Sequence, residues 1–196
     1  MAKGIIVFGA PGAGTSTIGQ ELARRLGFTH LETDDFSTVK TEIPFTISRP
    51  LSERISLLKS AIANICDGFV LSGSMWDWSS PFIPHFKLAV FVTAPTDIRI
   101  ARLEKREYER YGERIRENGD MYANHCKFIE WAKTYDTNNP DRSLKIHEEW
   151  IATLPCPVLR INGADTVEKN VSGIVDYYRQ DINLEEVNNE TIQNCF

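Results

Sequence analysis

Nine residues near the start of the chain, Gly9-Ala10-Pro11-Gly12-Ala13-Gly14-Thr15-Ser16-Thr17, have the types and spacing to hold an anion. Glycines let a backbone fold tightly around a phosphate without Cβ clashes, and successive N–H groups then point inward. The run follows a β-branched stretch, residues 4–8, that reads as a buried strand. It opens a stretch with helical spacing, so a helix N-terminus would add partial positive charge at the same spot. Ser16 is placed to put its hydroxyl on a magnesium ion. The run matches the Walker A pattern G-x-x-x-x-G-K-[ST] except at Thr15, where lysine is expected. The candidate phosphate contacts are therefore Gly9, Pro11, Gly12, Ala13, Gly14, Thr15, Ser16 and Thr17.

Three more groups carry side chains that could do chemistry. Glu32, Asp34 and Asp35 lie at the end of the second apolar run, and ligands of parallel α/β sheets bind outside the carboxyl ends of the strands. Strand alternation predicts Glu32 and Asp34 on one side, the competing role being that one of the carboxylates caps the next turn. After the third run come Ser72, Gly73, Ser74, Trp76, Asp77 and Trp78. Ser72 stands where a phosphate-loop enzyme would place a metal-binding Asp. Gly73 allows close approach to a ligand, and an aromatic at a strand end can stack on a base or sugar. Third, Arg99, Arg102, Arg106 and Arg110 are spaced 3, 4 and 4, which aligns them along one helix face, with Arg114 and Arg116 beyond. Arginine binds phosphate in bidentate fashion and stacks on rings.

GAPGAGTST followed by IGQELARRLG resembles the start of the nucleoside-monophosphate kinase and shikimate kinase group of P-loop kinases. Archaeal-type cytidylate kinases carry a similar loop without the lysine. Within the group the chain is similar to adenylate kinase-like bacterial proteins in the phrases TDD, PFT-x-x-RP, LSGS, REYERYG and HEEW, over roughly residues 4–180. The resemblance implies ATP and Mg2+ as cofactors and a small-molecule acceptor, possibly a nucleotide or nucleoside. By it, Glu32 supports magnesium through water and Asp34 orients or deprotonates the acceptor hydroxyl. Arg102 lies against the adenine, and Arg106 and Arg110 neutralise phosphate charge. Gly163 and Ala164 pass beside the base. Arg49 or Arg54 holds an acceptor phosphate, and Asp35, Gly73, Trp76 and Asp77 line the acceptor side. Since Thr15 brings no charge, the missing cation is expected from the arginine ladder, folded over the nucleotide as a lid at about 103–119. A nucleotide-binding protein without transfer activity is the alternative, because both the loop lysine and the strand-three Asp are absent.

Elements must position these groups. Strands are predicted at 4–8, 28–32, 69–72, 88–92 and 157–161. Helices are predicted at 16–26, 51–65, within 96–116, and at 120–133, 143–152 and 166–179. Alternation of strand and helix implies an α/β fold, here a three-layer P-loop NTPase architecture with a five-stranded parallel sheet and a short helical lid. The 196 residues hold 42% apolar, 25% charged and 10% aromatic side chains, an ordinary composition for one globular domain over 1–180. No apolar run approaches the 18 or so residues a membrane span needs, and residues 1–8 are too short for a signal peptide. Of the net charge of −5, Asp181, Glu185, Glu186 and Glu190 contribute −4, so 181–196 reads as a flexible acidic tail. The nearly neutral body argues against nucleic-acid binding. The four cysteines form no CxxC pair, which fits a reducing cytoplasm. A monomer or homodimer is expected. His30, His85, His125 and His147 are scattered and carry no assigned catalytic role.

Overall fold

Three strands are apolar almost without interruption because they are buried on both faces. They are β1 (Lys3–Gly9), β3 (Gly68–Ser72) and β4 (Phe86–Thr93), the centre of a five-stranded, all-parallel sheet. β2 (Thr29–Glu32) and β5 (Val158–Asn162) form the edges and are only partly buried, giving the order β2-β3-β1-β4-β5. The computed structural model describes residues 2–137 and 140–182. Most of the acidic stretch expected to be a flexible tail, from residue 183 onward, lies outside the described residues.

Successive strand side chains point to opposite faces and so seed two cores. On one face Ile5, Val7, Val70, Leu88 and Val90 pack against α1 (Thr15–Leu26) and α7 (Val167–Tyr177). On the other, Ile6, Phe8, Phe69, Leu71 and Phe91 pack against α3 (Leu51–Ala63), Trp78 and Trp150 of α6 (Leu144–Ile151). Burying each such side chain is worth about 1.5–3 kcal/mol. The three-layer arrangement is the one expected. Trp78, 4% exposed, belongs to this core and takes no ligand-stacking role.

Two local outcomes differ from the sequence expectation. The residues after β2 do not continue as a strand: Thr33–Ser37 is a short helix, α2. Pairing with β3 ends at Glu32–Ser72. There the Ser37 hydroxyl donates to the Thr33 carbonyl (2.7 Å), and Thr38 donates both its amide and its hydroxyl to the Asp34 carbonyl (3.1 and 2.9 Å). Hydroxyl side chains that bond back to the chain favour a turn over an open strand end. Asp34 and Asp35 thus sit on a helical turn, and strand alternation does not set their direction. The charged helix predicted within 96–116 is α4 (Thr96–Tyr111), ended by Gly112. A single 3-10 turn follows (Gly112–Ile115), and α5 (Tyr122–Lys133) brings the chain back. Residues 103–119 are therefore the outer part of a helical hairpin.

Candidate active site

The phosphate loop leaves β1 at Gly9 and enters α1 at Thr15. Gly12 (φ +80°) and Gly14 (φ +103°) are left-handed, a conformation that glycine alone adopts without strain. This curls the loop back over the α1 N-terminus, whose first amides have no intrahelical partner. Arg102 of α4 lies alongside: its Nη1 donates to the Gly163 carbonyl at 2.9 Å, joining the predicted base-side residues to the rim of this loop.

At the α1 side the exposed Ser16 Oγ donates to Glu32 Oε2 at 3.2 Å. Glu32 Oε1 is 3.4 Å from His30 Nε2, which is in turn 2.9 Å from Ser72 Oγ. Ser72 donates to the Thr15 carbonyl at 3.3 Å. The serine standing in the metal-binding position of strand three therefore anchors α1, and the carboxylate beside the loop comes from β2. Burial pushes the Glu32 pKa up to about 7, against the hydrogen bond from Ser16; the charges of Asp34 and Asp35 raise it further, and that of Arg110 lowers it. Burial also pushes the His30 pKa down, with Asp35 opposing. Burial thus outweighs the charge of Arg110 at this carboxyl. One hydroxyl and one carboxylate oxygen together suit a hard cation such as Mg2+, whose remaining shell is substrate phosphate and water. Among the described residues no group of three or more His, Cys, Asp and Glu side chains is placed to hold a metal.

The arginine ladder separates by depth. Arg99 is fully buried. Its guanidinium meets Asp136 Oδ2 (2.6 Å), Thr96 Oγ1 (2.9 Å) and the carbonyls of Ala132 (3.3 Å) and Pro11 (3.4 Å). It is a knot tying the phosphate loop to the end of α5. Arg106 has a buried Nε without a partner, and its Nη2 is 3.5 Å from Glu107. Arg110 is exposed and its charge reaches Glu32. Arg114 is paired with Asp120 (2.6 Å) and Arg116 lies over the Tyr108 ring (4.6 Å). Arg102, through Gly163, and Arg110, through the charge it exerts on Glu32, are the members tied to the surroundings of the loop.

On the acceptor side, Asp34, Asp35 and Asp77 are exposed and Trp76 is 36% exposed. Gly73 serves the protein: a Cβ there would lie 2.0 Å from Thr33 Oγ1, so its bare backbone lets α2 pack against the end of β3. Arg49 and Arg54 are engaged at the base of a hairpin over 38–48. Arg49 pairs with Glu53 and donates to the Thr38 carbonyl, and Arg54 donates to the Arg49 carbonyl. The cation the sequence reading missed is Arg142. Burial pushes its pKa below the ordinary value while the charges of Asp34 and Asp77 push it up, and its guanidinium lies 5.4 Å from the Trp131 ring centre. A lone arginine in the stretch Pro140-Asp141-Arg142-Ser143 has no spacing to flag it.

A cleft of about 910 Å³ lies elsewhere, on the outer flank of the α4–α5 hairpin, lined by residues such as Glu104, Tyr108, Tyr122 and Cys126. That face of α4 is opposite to Arg102 and Arg106, so the cleft belongs to a different surface from the loop.

A family model described as an AAA domain, AAA_18, matches residues 5–125. The chain is 39% identical over 178 residues to the uncharacterized protein YqaC of Bacillus subtilis (strain 168), covering 90% of this chain and 98% of that protein. Among solved structures it is similar to shikimate kinase from Bacteroides thetaiotaomicron (TM-score 0.54, 16% identity, 90% and 98% of the two chains). It is also similar to a sugar kinase from Janibacter sp. HTCC2649 (TM-score 0.51, 13% identity, 93% and 97%).

Proposed function

The chain belongs to the AAA_18 family and has the P-loop kinase fold of the shikimate and nucleoside-monophosphate kinase group, and on that premise we propose that it transfers the γ-phosphoryl group of ATP to a small hydroxyl- or phosphate-bearing acceptor. One observation carries the reading. Ser16 of the phosphate loop is hydrogen-bonded to Glu32, whose carboxyl feels the charges of Asp34, Asp35 and Arg110, and the charge of Asp34 also reaches Arg142. A protein that only binds nucleotide has no use for carboxylates and a half-buried arginine on the acceptor side.

Phosphoryl transfer asks a protein mainly for positioning and charge neutralisation. The loop amides of 12–17 and the α1 N-terminus hold the phosphates. Ser16 and Glu32 would hold Mg2+, which supplies charge neutralisation when bound. Arg106 and Arg110 provide the cation that Thr15 does not. Asp34 accepts the acceptor's proton or fixes its hydroxyl. Arg142 and Asp77 bind the far side of the acceptor, beside Trp76. Residues 103–119 act as the lid.

The test is ADP release from Mg-ATP against a panel of sugars, hydroxy acids, nucleosides and nucleoside monophosphates. Acceptor-dependent ADP release that is lost in Asp34→Asn is the expected result. Thr15 and Ser72, in place of the usual Lys and Asp, favour a second reading, a nucleotide-binding protein without transfer. Mg-ATP binding with no acceptor-dependent ADP release would decide for it.

A further inference from the structure

His147 of α6 is completely buried and lies where three parts of the molecule meet. Its Nε2 is 2.8 Å from Ser74 Oγ and its Nδ1 is 2.8 Å from Tyr135 Oη. Ser74 opens the loop that follows β3 and carries Trp76 and Asp77. Tyr135 sits in the 3-10 turn Thr134–Thr137, where the chain returns from α5. The ring is wedged edge-on between Phe8 of β1 (5.3 Å) and Phe91 of β4 (5.9 Å), so it has little room to turn.

Both ends of this bridge lead to the candidate site. Toward the nucleotide, the Tyr135 ring centre lies 5.3 Å from the Arg99 guanidinium, which reaches the Pro11 carbonyl of the phosphate loop. Toward the acceptor, the segment that carries His147 grips the same loop twice more. Trp76 Nε1 donates to the Asp141 carbonyl (3.2 Å), and Trp150 Nε1 donates to Ser79 Oγ (3.0 Å). Arg142 stands between these grips. A neutral imidazole has one donor and one acceptor nitrogen, and each hydroxyl can take either part, so Ser74 and Tyr135 together satisfy both ring nitrogens of His147, one hydroxyl donating to the ring and the other accepting from it. A buried ring paired at both nitrogens is held in one arrangement, and the members of such a network act as a unit.

Resting on the phosphotransferase reading, we propose that His147 is a positioning residue of the transfer site: its two ring nitrogens fix the acceptor-side loop 74–79, with Trp76 and Asp77, against the turn that ends the α4–α5 hairpin. The histidine touches no substrate in this scheme and acts through Ser74.

Hydrogen exchange of the full-length, nucleotide-free chain tests the bridge without any ligand. The reporters are the Trp78 and Phe82 amides, which close the loop onto the carbonyls of Met75 (3.0 Å) and Ser79 (2.8 Å). Tyr135→Phe removes one oxygen and meets the loop only through His147. It should speed exchange over 74–83 by about three- to tenfold, as losing one neutral hydrogen bond implies, with β1, α1 and α7 unchanged. Ser74→Ala should do the same, and the double variant should add little to either single one. Unchanged exchange over 74–83 in Tyr135→Phe overturns the proposal. So does equal acceleration across the whole sheet, which would mark a purely structural role. In the transfer assay Tyr135→Phe should keep the Kd for Mg-ADP within about twofold and lose about tenfold in acceptor-dependent turnover, the fold-change of roughly one hydrogen bond; full turnover overturns the positioning role. A parent protein that transfers phosphate to no acceptor overturns the phosphotransferase reading instead, while the exchange pattern still decides whether His147 couples the loop to the turn.

Discussion

Ser16 Oγ and Glu32 Oε2, 3.2 Å apart, offer a hard cation two oxygens at the mouth of the phosphate loop. Removing one of them should be felt only when metal is present. Ser16→Ala is expected to lose roughly 1.5–3 kcal/mol of Mg2+-dependent ADP affinity, as for a lost contact to a charged group, while binding in EDTA stays at the parent's level. Calorimetric titration with and without Mg2+ measures this, and equal metal dependence in the two proteins would remove Ser16 from the site. Asp34→Asn keeps the side chain's shape and gives up its basicity. It should bind Mg-ATP normally and turn over about 10²- to 10⁴-fold more slowly; turnover at the parent's rate would make Asp34 structural. Ser16 stood out in the sequence because motif spacing fixes chain direction at a strand-to-helix turn, and Glu32 because it ends the second apolar run; their 3.2 Å contact is a feature of the fold. Arg142 and His147 did not, because what surrounds them, the charges of Asp34 and Asp77 and the hydroxyls of Ser74 and Tyr135, comes from residues set apart from them in sequence.

Along α4, spacing and depth are separate properties. The 3, 4, 4 pattern correctly put Arg99, Arg102, Arg106 and Arg110 on one stripe, but it could not show that the stripe runs from the core outward. Arg99, in the first turns over the sheet, is fully buried, while Arg110, near the far end, is exposed. The same limit explains α2. Period-two reasoning carried β2 past Glu32, where hydroxyl-to-carbonyl bonds at Ser37 and Thr38 had already turned the chain. The strands and long helices themselves were legible to within a few residues, because apolar runs and helical periodicity are local signals. With Arg99 removed from the ladder, Arg106 is the half-buried member, and its Nε has no protein partner. Arg106→Ala should raise the KM for ATP and lower kcat. Thr15→Lys should partly restore it, since two cations serving one phosphate charge couple by about 0.5–3 kcal/mol in a double-mutant cycle. Strictly additive effects on kcat/KM would show that position 15 and the hairpin act independently.

For the molecule as a whole, one buried and one half-buried group on different parts of the fold pull stability in opposite directions with pH. Burial holds the His147 pKa down at about 3, far below the 6.5 of an exposed histidine. Between those values the unfolded chain takes up a proton that the folded chain refuses, so this contribution is complete above pH 6.5 and is lost as pH falls. Glu32 is the reverse. Its pKa is pushed up from 4.5 to about 7, so the folded chain holds a proton that the unfolded chain has released, and stability declines as pH rises across that window. The windows overlap from pH 4.5 to 6.5. Glu148 and Glu168, whose pKa values are lowered, act below it. Each unit of pH is worth at most about 1.4 kcal/mol per proton. Glu32 delivers less than His147, because its side chain keeps 29% exposure. The metal-free parent should therefore gain stability only gently between pH 4.5 and 6.5, with the steeper histidine slope largely offset. Glu32→Gln should expose that slope, climbing more steeply over the same range, and above pH 7 it should melt higher than the parent in EDTA while losing the stabilisation that Mg-ADP confers. His147→Gln should instead flatten or reverse the profile, since the falling contribution of Glu32 is then opposed chiefly by the rising one of half-buried His30. Urea unfolding at half-unit pH steps measures all three profiles, and parallel profiles for the parent and Glu32→Gln would show that Glu32 is not held protonated beside Ser16.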